Sequence, residues 1–90
     1  MELPIDGILD LHTFAPREVK PLVSDYIDEC VARGILEVRI IHGKGTGTLR
    51  TIVQSVLARH PRVASFGPAE ESMGGWGATV AVLHAAGDGP

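Results

Sequence analysis

An apolar pair, Ile40-Ile41, runs straight into His42-Gly43-Lys44-Gly45-Thr46-Gly47, where three alternating glycines carry a histidine and a lysine. A segment of helical spacing, Thr48 to Arg59, follows at once. This order confines the region to a strand, a tight turn and a helix. Gly43, Gly45 and Gly47 are expected to turn the backbone through positive φ and to let it approach a ligand closely. The helix that follows directs its N-terminus, and the partial positive charge there, at the same place. The turn therefore reads as an anion site for phosphate, with Lys44 and Arg50 as its cations.

The common nucleotide motifs do not fit. A Walker A loop would need glycine where Val38 stands and a hydroxyl where Gly45 stands. The dinucleotide fingerprint needs G-x-G-x-x-G with an acidic residue about 20 positions on, whereas the spacing here is G-x-G-x-G and Ser65 to Pro68 holds no carboxylate.

Hydrophobic periodicity supplies the remaining elements. Gly7 to Leu11 reads as a short strand. Val19, Leu22, Val23, Tyr26, Ile27, Cys30 and Val31 recur at helical spacing, with Gly34 as the stop. Pro16 suits the start of that helix, but Pro21 lacks a backbone donor, which moves the expected start of regular helix toward Pro21. Ile35 to Ile41 is a β-branched strand, and Leu49, Ile52, Val53, Val56 and Leu57 form the buried stripe of the second helix. Val63 to Phe66 and Ala78 to His84 read as strands separated by a polar, glycine-rich loop from Gly67 to Gly75. The order β-α-β-α-β-β implies an α/β two-layer sandwich with a mixed four-stranded sheet and two helices. The first strands pair in parallel and the last two antiparallel. Two helices cover one sheet face and leave the other open to a partner.

Ninety residues, 44% of them hydrophobic, make one domain over 1–90, with an ordered core of about 7–84 and a disordered tail from Ala85 to Pro90. The single Cys30 excludes an internal disulfide and belongs on the apolar helix stripe. No apolar run approaches the roughly 20 residues that span a bilayer, and no basic-then-apolar leader opens the chain. The expected setting is cytoplasmic, without a membrane. A net charge of −3 excludes a strongly basic nucleic-acid footprint and leaves only local positive potential at the glycine turn.

Three segments fall at strand ends: Leu9-Asp10-Leu11-His12, His42 to Gly47, and Gly74-Gly75-Trp76-Gly77-Ala78-Thr79. In an open α/β sheet ligands bind beyond the carboxyl ends of parallel strands, which is where His12 and His42 fall, so the three segments form one expected site. Together they resemble the Smr domain, the small MutS-related family, over nearly the whole chain. The family's first motif continues with glycine, where this chain has Thr13. The resemblance implies a fold similar to the C-terminal domain of translation initiation factor three. It also implies nucleic-acid binding and, in several members, endonuclease activity on RNA or structured DNA, with DNA repair among the contexts.

Cleaving a phosphodiester requires a proton acceptor, a proton donor and positive charge on the phosphate. His12 and His42 can share the acid and base roles, with Asp10 orienting His12 from the same strand face. Gly43, Gly45 and Gly47 offer amides, and Lys44 and Arg50 offer cations. Gly75, Gly77 and Thr79 let the last strand approach the His42 turn. Trp76 either stacks on a base or covers the core edge. Without a metal, RNA is favoured because its 2′-hydroxyl is the nucleophile, whereas DNA requires an activated water. Magnesium or manganese at Asp10 could supply that water, although only one motif carboxylate is present. Zinc on His12 and His42 would need His84 or Glu70 as a third ligand, with no spacing to support it. His60 and His84 are expected at the surface. A non-catalytic nucleic-acid-binding module and a module for a protein partner are the alternative functions.

Overall fold

A computed structural model describes residues 5–45, 47–70 and 75–87, and for Trp76 the backbone alone. Expectations for Thr46, Gly74, the tail residues 88–90 and the Trp76 side chain lie outside the described residues. Four strands and two helices follow in the expected order: β1 (Ile8–Asp10), α1 (Pro16–Ala32), β2 (Glu37–Ile41), α2 (Thr48–Arg59), β3 (Val63–Pro68) and β4 (Ala78–Leu83). A 3-10 turn, Gly75–Gly77, leads into β4.

The sheet order is β1-β2-β4-β3. β1 pairs with β2 in parallel, and β4 runs antiparallel to both β2 and β3. The expectation of parallel strands holds for the direction of β2 and β3, but these two are not neighbours, because β4 is inserted between them. The residue types explain the placement. β4 (Ala-Thr-Val-Ala-Val-Leu) is apolar on both faces and suits a central position, whereas β3 carries Gly67 and Pro68 and suits an edge.

Both helices lie on one face. Leu9 and Leu11, Val38 and Ile40, and Ala81 and Leu83 alternate toward them and meet Val19, Val23, Ile27, Val53 and Leu57 in one buried cluster. Cys30 lies within this core, fully buried, as its position on the helix stripe implied. The opposite face is open, and Ile8 and Val82 are 44% and 43% exposed there.

α1 begins at Pro16, not near Pro21. Pro16 occupies the first helical position, where a missing N–H costs nothing. The Glu18 carboxylate accepts the Ala15 N–H at 2.7 Å and closes the first turn. Val19 is fully buried and anchors that turn on the core, so the helix runs through Pro21 despite one lost ladder bond. At the other end Gly34, with φ +75°, donates to Val31 O at 3.1 Å, and Ile35 N donates to Cys30 O at 2.8 Å. This pair of bonds is a Schellman motif.

Gly7 fixes where β1 starts. Its φ is +91°, and a Cβ there would stand 3.1 Å from the Glu37 carbonyl oxygen. Its N–H donates to the Tyr26 hydroxyl at 3.1 Å, which in turn donates to Ile8 O at 3.2 Å. α1 and β1 are thereby tied together just ahead of the first motif.

Candidate functional site

The parallel register sets Asp10 opposite Ile41, and Leu11 N donates to Ile41 O at 2.9 Å. The end of β1 therefore lies beside the start of the glycine turn. Asp10 is on the open face of the sheet, and its Oδ1 accepts two hydrogen bonds from His12, from the backbone N–H at 3.0 Å and from ring Nδ1 at 2.8 Å. These bonds, the backbone one first, hold the Asp10 carboxyl below the usual carboxylate range. A carboxylate at Nδ1 fixes the proton there and leaves Nε2 as the basic nitrogen. The His12 side chain is 76% exposed, so that nitrogen faces solvent.

His42 occupies a different environment. It is 7% exposed, and both ring nitrogens have partners within the chain: Nδ1 contacts Gly43 O at 3.0 Å and Nε2 contacts Thr79 Oγ1 at 2.8 Å. A carbonyl can only accept, so Nδ1 carries the proton, and in the neutral ring Nε2 accepts from the Thr79 hydroxyl. Two hydrogen-bonded pairs result, Asp10 with His12 at the surface and His42 with Thr79 beneath the turn.

Below the turn, Gly77 O accepts both His42 N–H at 3.0 Å and Gly43 N–H at 2.9 Å. The Gly43 amide is thus committed to the fold, contrary to its expected role as a phosphate donor. A Cβ at Gly77 would stand 3.4 Å from Lys44 Cγ and 3.7 Å from Gly43 backbone, in ordinary van der Waals contact with the turn. This is the close approach expected between the last strand and the turn. Gly75, with φ +53°, donates to Glu70 O at 2.9 Å and so sets the 3-10 turn rather than the site surface.

Gly43 and Gly47 have φ of +82° and +84°, as expected, but Gly45 is outside the left-handed region. A Cβ at Gly45 would meet nothing within 4 Å, so this glycine keeps space clear rather than relieving strain. The turn and the first residues of α2 enclose a cavity of about 320 Å³ lined by His42, Gly43, Gly45, Gly47, Arg50 and Pro16, among others. Arg50 stands close by, its terminal nitrogen 3.8 Å from where a Gly47 Cβ would be, and Lys44 is exposed on the turn. Pro16 was not among the candidate residues. It brings the N-terminus of α1 to the cavity beside that of α2, and its signal in the sequence was a helix-starting proline four residues after His12.

Among the described residues no three His, Cys, Asp or Glu side chains converge as a metal cage. Asp10 provides one carboxylate, already engaged by His12, which does not fit a hard divalent ion that takes several oxygens. His60 is not a surface residue as expected. Its side chain is 6% exposed and its Nε2 donates to Asp28 Oδ1 at 3.0 Å.

Replacing Thr79, itself 1% exposed, with valine preserves shape and leaves the buried His42 Nε2 without a donor. Thr79→Val is expected to cost about 1–3 kcal/mol, seen as a lower midpoint in urea unfolding, while Thr79→Ser keeps the hydroxyl and most of the stability.

Comparison with known proteins agrees with this fold. The Smr domain family model matches residues 9–84. The endonuclease MutS2 of Clostridium novyi (strain NT) is 41% identical over 75 residues, covering 83% of this chain. That of Staphylococcus carnosus (strain TM300) is 43% identical over 75 residues. The chain spans about a tenth of the length of these curated relatives. Among solved structures, the Smr domain of Thermus thermophilus MutS2 superposes with a TM-score of 0.83 at 37% identity, covering 88% of this chain and 99% of that one. YdaL, a stand-alone small MutS-related protein from Escherichia coli, also gives 0.83, at 28% identity, covering 92% of this chain and 68% of that one.

Proposed function

Because the chain belongs to the Smr domain family, we propose that it binds nucleic acid and cleaves phosphodiester bonds at the exposed Asp10–His12 pair. The observation that carries this reading is the 2.8 Å hydrogen bond that His12 Nδ1 donates to Asp10 Oδ1, which leaves a basic Nε2 toward solvent at the end of β1, next to the strand that runs into the glycine turn. The MutS2 relatives are named endonucleases, which supports the same chemistry here.

Each residue then has a task. Lys44 and Arg50 hold the phosphate and take up its developing negative charge. His12 Nε2 accepts the proton of the attacking oxygen, which is the neighbouring 2′-hydroxyl in RNA or a water in DNA; as its bond to phosphorus forms, the bond from phosphorus to the leaving oxygen breaks, that oxygen takes a proton from solvent, and Asp10 stabilises the imidazolium. His42 acts through Thr79 and Gly43 to set the shape of the turn, so its removal displaces the phosphate contacts. RNA is the favoured substrate, since its nucleophile is already in place.

The test uses end-labelled RNA and single-stranded, nicked and branched DNA, with chelator, magnesium or manganese. RNA cleavage that persists in chelator is the expected result. Cleavage of DNA only, with added metal, would overturn the assignment of His12 as the base for a 2′-hydroxyl. A second reading, a module that binds without cutting, is favoured by Thr13 in place of the family glycine beside His12. It would be established by salt-sensitive binding with no cleavage of any substrate.

A further inference from the structure

A second cavity lies away from the glycine turn, on the outer side of the helix layer. It is a groove of about 620 Å³ between α1 and α2. Each helix is a crossover that returns the chain between strands of the same direction, so the two run parallel and pack side by side. Ile52 and Val56 of α2 form the floor. Lys20 borders it on α1 and Arg59 on α2. The buried His60 closes the far end. Its Nδ1 accepts the Arg62 N–H at 3.0 Å, which directs its Nε2 proton to Asp28.

We propose that this groove docks an amphipathic helix bearing acidic residues, contributed by a protein partner. Three features fit that occupant. The lining residues on each helix, Lys20 to Asp28 and Thr51 to Arg59, lie eight helical rises or about 12 Å apart end to end, which is the reach of two helical turns. An apolar floor between two parallel helices accepts the i, i+3/i+4, i+7 stripe of a third. Within a chain of net charge −3 the groove rim carries Lys20 and Arg59 against one carboxylate, Asp28, which already receives the His60 proton. Charge complementarity therefore selects an acidic helix and disfavours a basic one.

Thr51 connects the groove with the glycine turn. It lines the groove, and both its backbone N–H and its Oγ1 donate to Gly47 O at 2.9 Å. A helix seated here would press on the residue that holds the left-handed Gly47.

The probe is a fluorescein-labelled peptide of about 15 residues with a leucine stripe flanked by glutamates, titrated by anisotropy and by amide chemical shifts. Expected are shift changes centred on Ile52, Ser55, Val56 and Arg59, and binding about tenfold weaker when lysines replace the glutamates. The double variant Lys20→Glu/Arg59→Glu, altered only at exposed positions, is expected to reverse that preference with an unchanged thermal midpoint. Equal binding of the two peptides would overturn the proposal, as would shifts on the open sheet face or no saturation at about 1 mM, which corresponds to about −4 kcal/mol. A 12-mer RNA that moves the groove resonances where the acidic peptide does not would assign the groove to nucleic acid instead.

Discussion

His12→Ala is expected to lower the rate of RNA cleavage by about 100-fold or more, the range in which a positioned general base acts, while leaving thermal stability unchanged. The two halves of that expectation have separate causes. The ring is 76% exposed and makes its contact with an exposed carboxylate, so the fold gains little from it. The same exposure places Nε2 where a substrate hydroxyl can reach it. Asp10→Asn offers a finer test, because asparagine can still accept the His12 backbone N–H but carries no charge to stabilise an imidazolium. Since Asp10 titrates below the usual carboxylate range, it stays ionised throughout the range where histidines ordinarily titrate. Asp10→Asn should therefore alter the shape of the rate against pH as well as its height. His42→Ala should behave differently, losing stability together with activity, because it removes a buried ring bonded to Thr79 and Gly43. If His12→Ala cleaved RNA at the wild-type rate in chelator, the exposed pair would not be the catalytic base.

Ile40→Ala is expected to have the largest effect on stability, about 2–5 kcal/mol, against about 0.5–1.5 kcal/mol for Ile40→Val. Ile40 is fully buried on β2, faces the helices, and sits in register with Leu9 on one side and Thr79 on the other. A central strand between two neighbours cannot move to fill the space left by the lost side chain, so the cavity term persists. A domain of this size is held by about 5–15 kcal/mol, so Ile40→Ala removes a substantial share and lowers the melting temperature by about 4–8 °C for each kcal/mol. Calorimetry of the Ile40→Val and Ile40→Ala pair measures this directly. A melting temperature for Ile40→Ala within about 2 °C of wild type would mean that β1 and β4 close over the gap, in conflict with this packing.

Much of the fold was legible because the local rules agree with one another. The stripe from Val19 to Val31, the Gly34 stop and the Thr48 to Arg59 segment each name an element by spacing alone, and the helix limits at Ala32 and Arg59 follow from them. Pro21 misled, because its local cost is a single backbone bond and the burial of Val19, which offsets it, is a tertiary contact. His60 misled for the same reason. A histidine before proline at a helix end looks exposed until α1 brings Asp28 beside it, 32 positions away in sequence.

For the site, the spacing put Asp10 and His12 two apart, but β1 ends at Asp10 and His12 lies in the turn that follows, so the pair is made by Asp10 Oδ1 accepting the His12 backbone N–H and ring Nδ1, not by a shared strand face. The sequence could not show that His42 turns inward. That depends on β4 lying next to β2, which brings Thr79 Oγ1 to the ring and Gly77 O to the amides of His42 and Gly43. Strand neighbours are set by how the whole chain buries its apolar faces, and short-range spacing carries no record of that choice. The sequence by itself determined the element order, the helix faces and the glycine turn between β2 and α2. Only the tertiary structure decided the insertion of β4, the division of the two histidines between surface and interior, and the groove between parallel helices, because each requires residues more than 30 positions apart to meet.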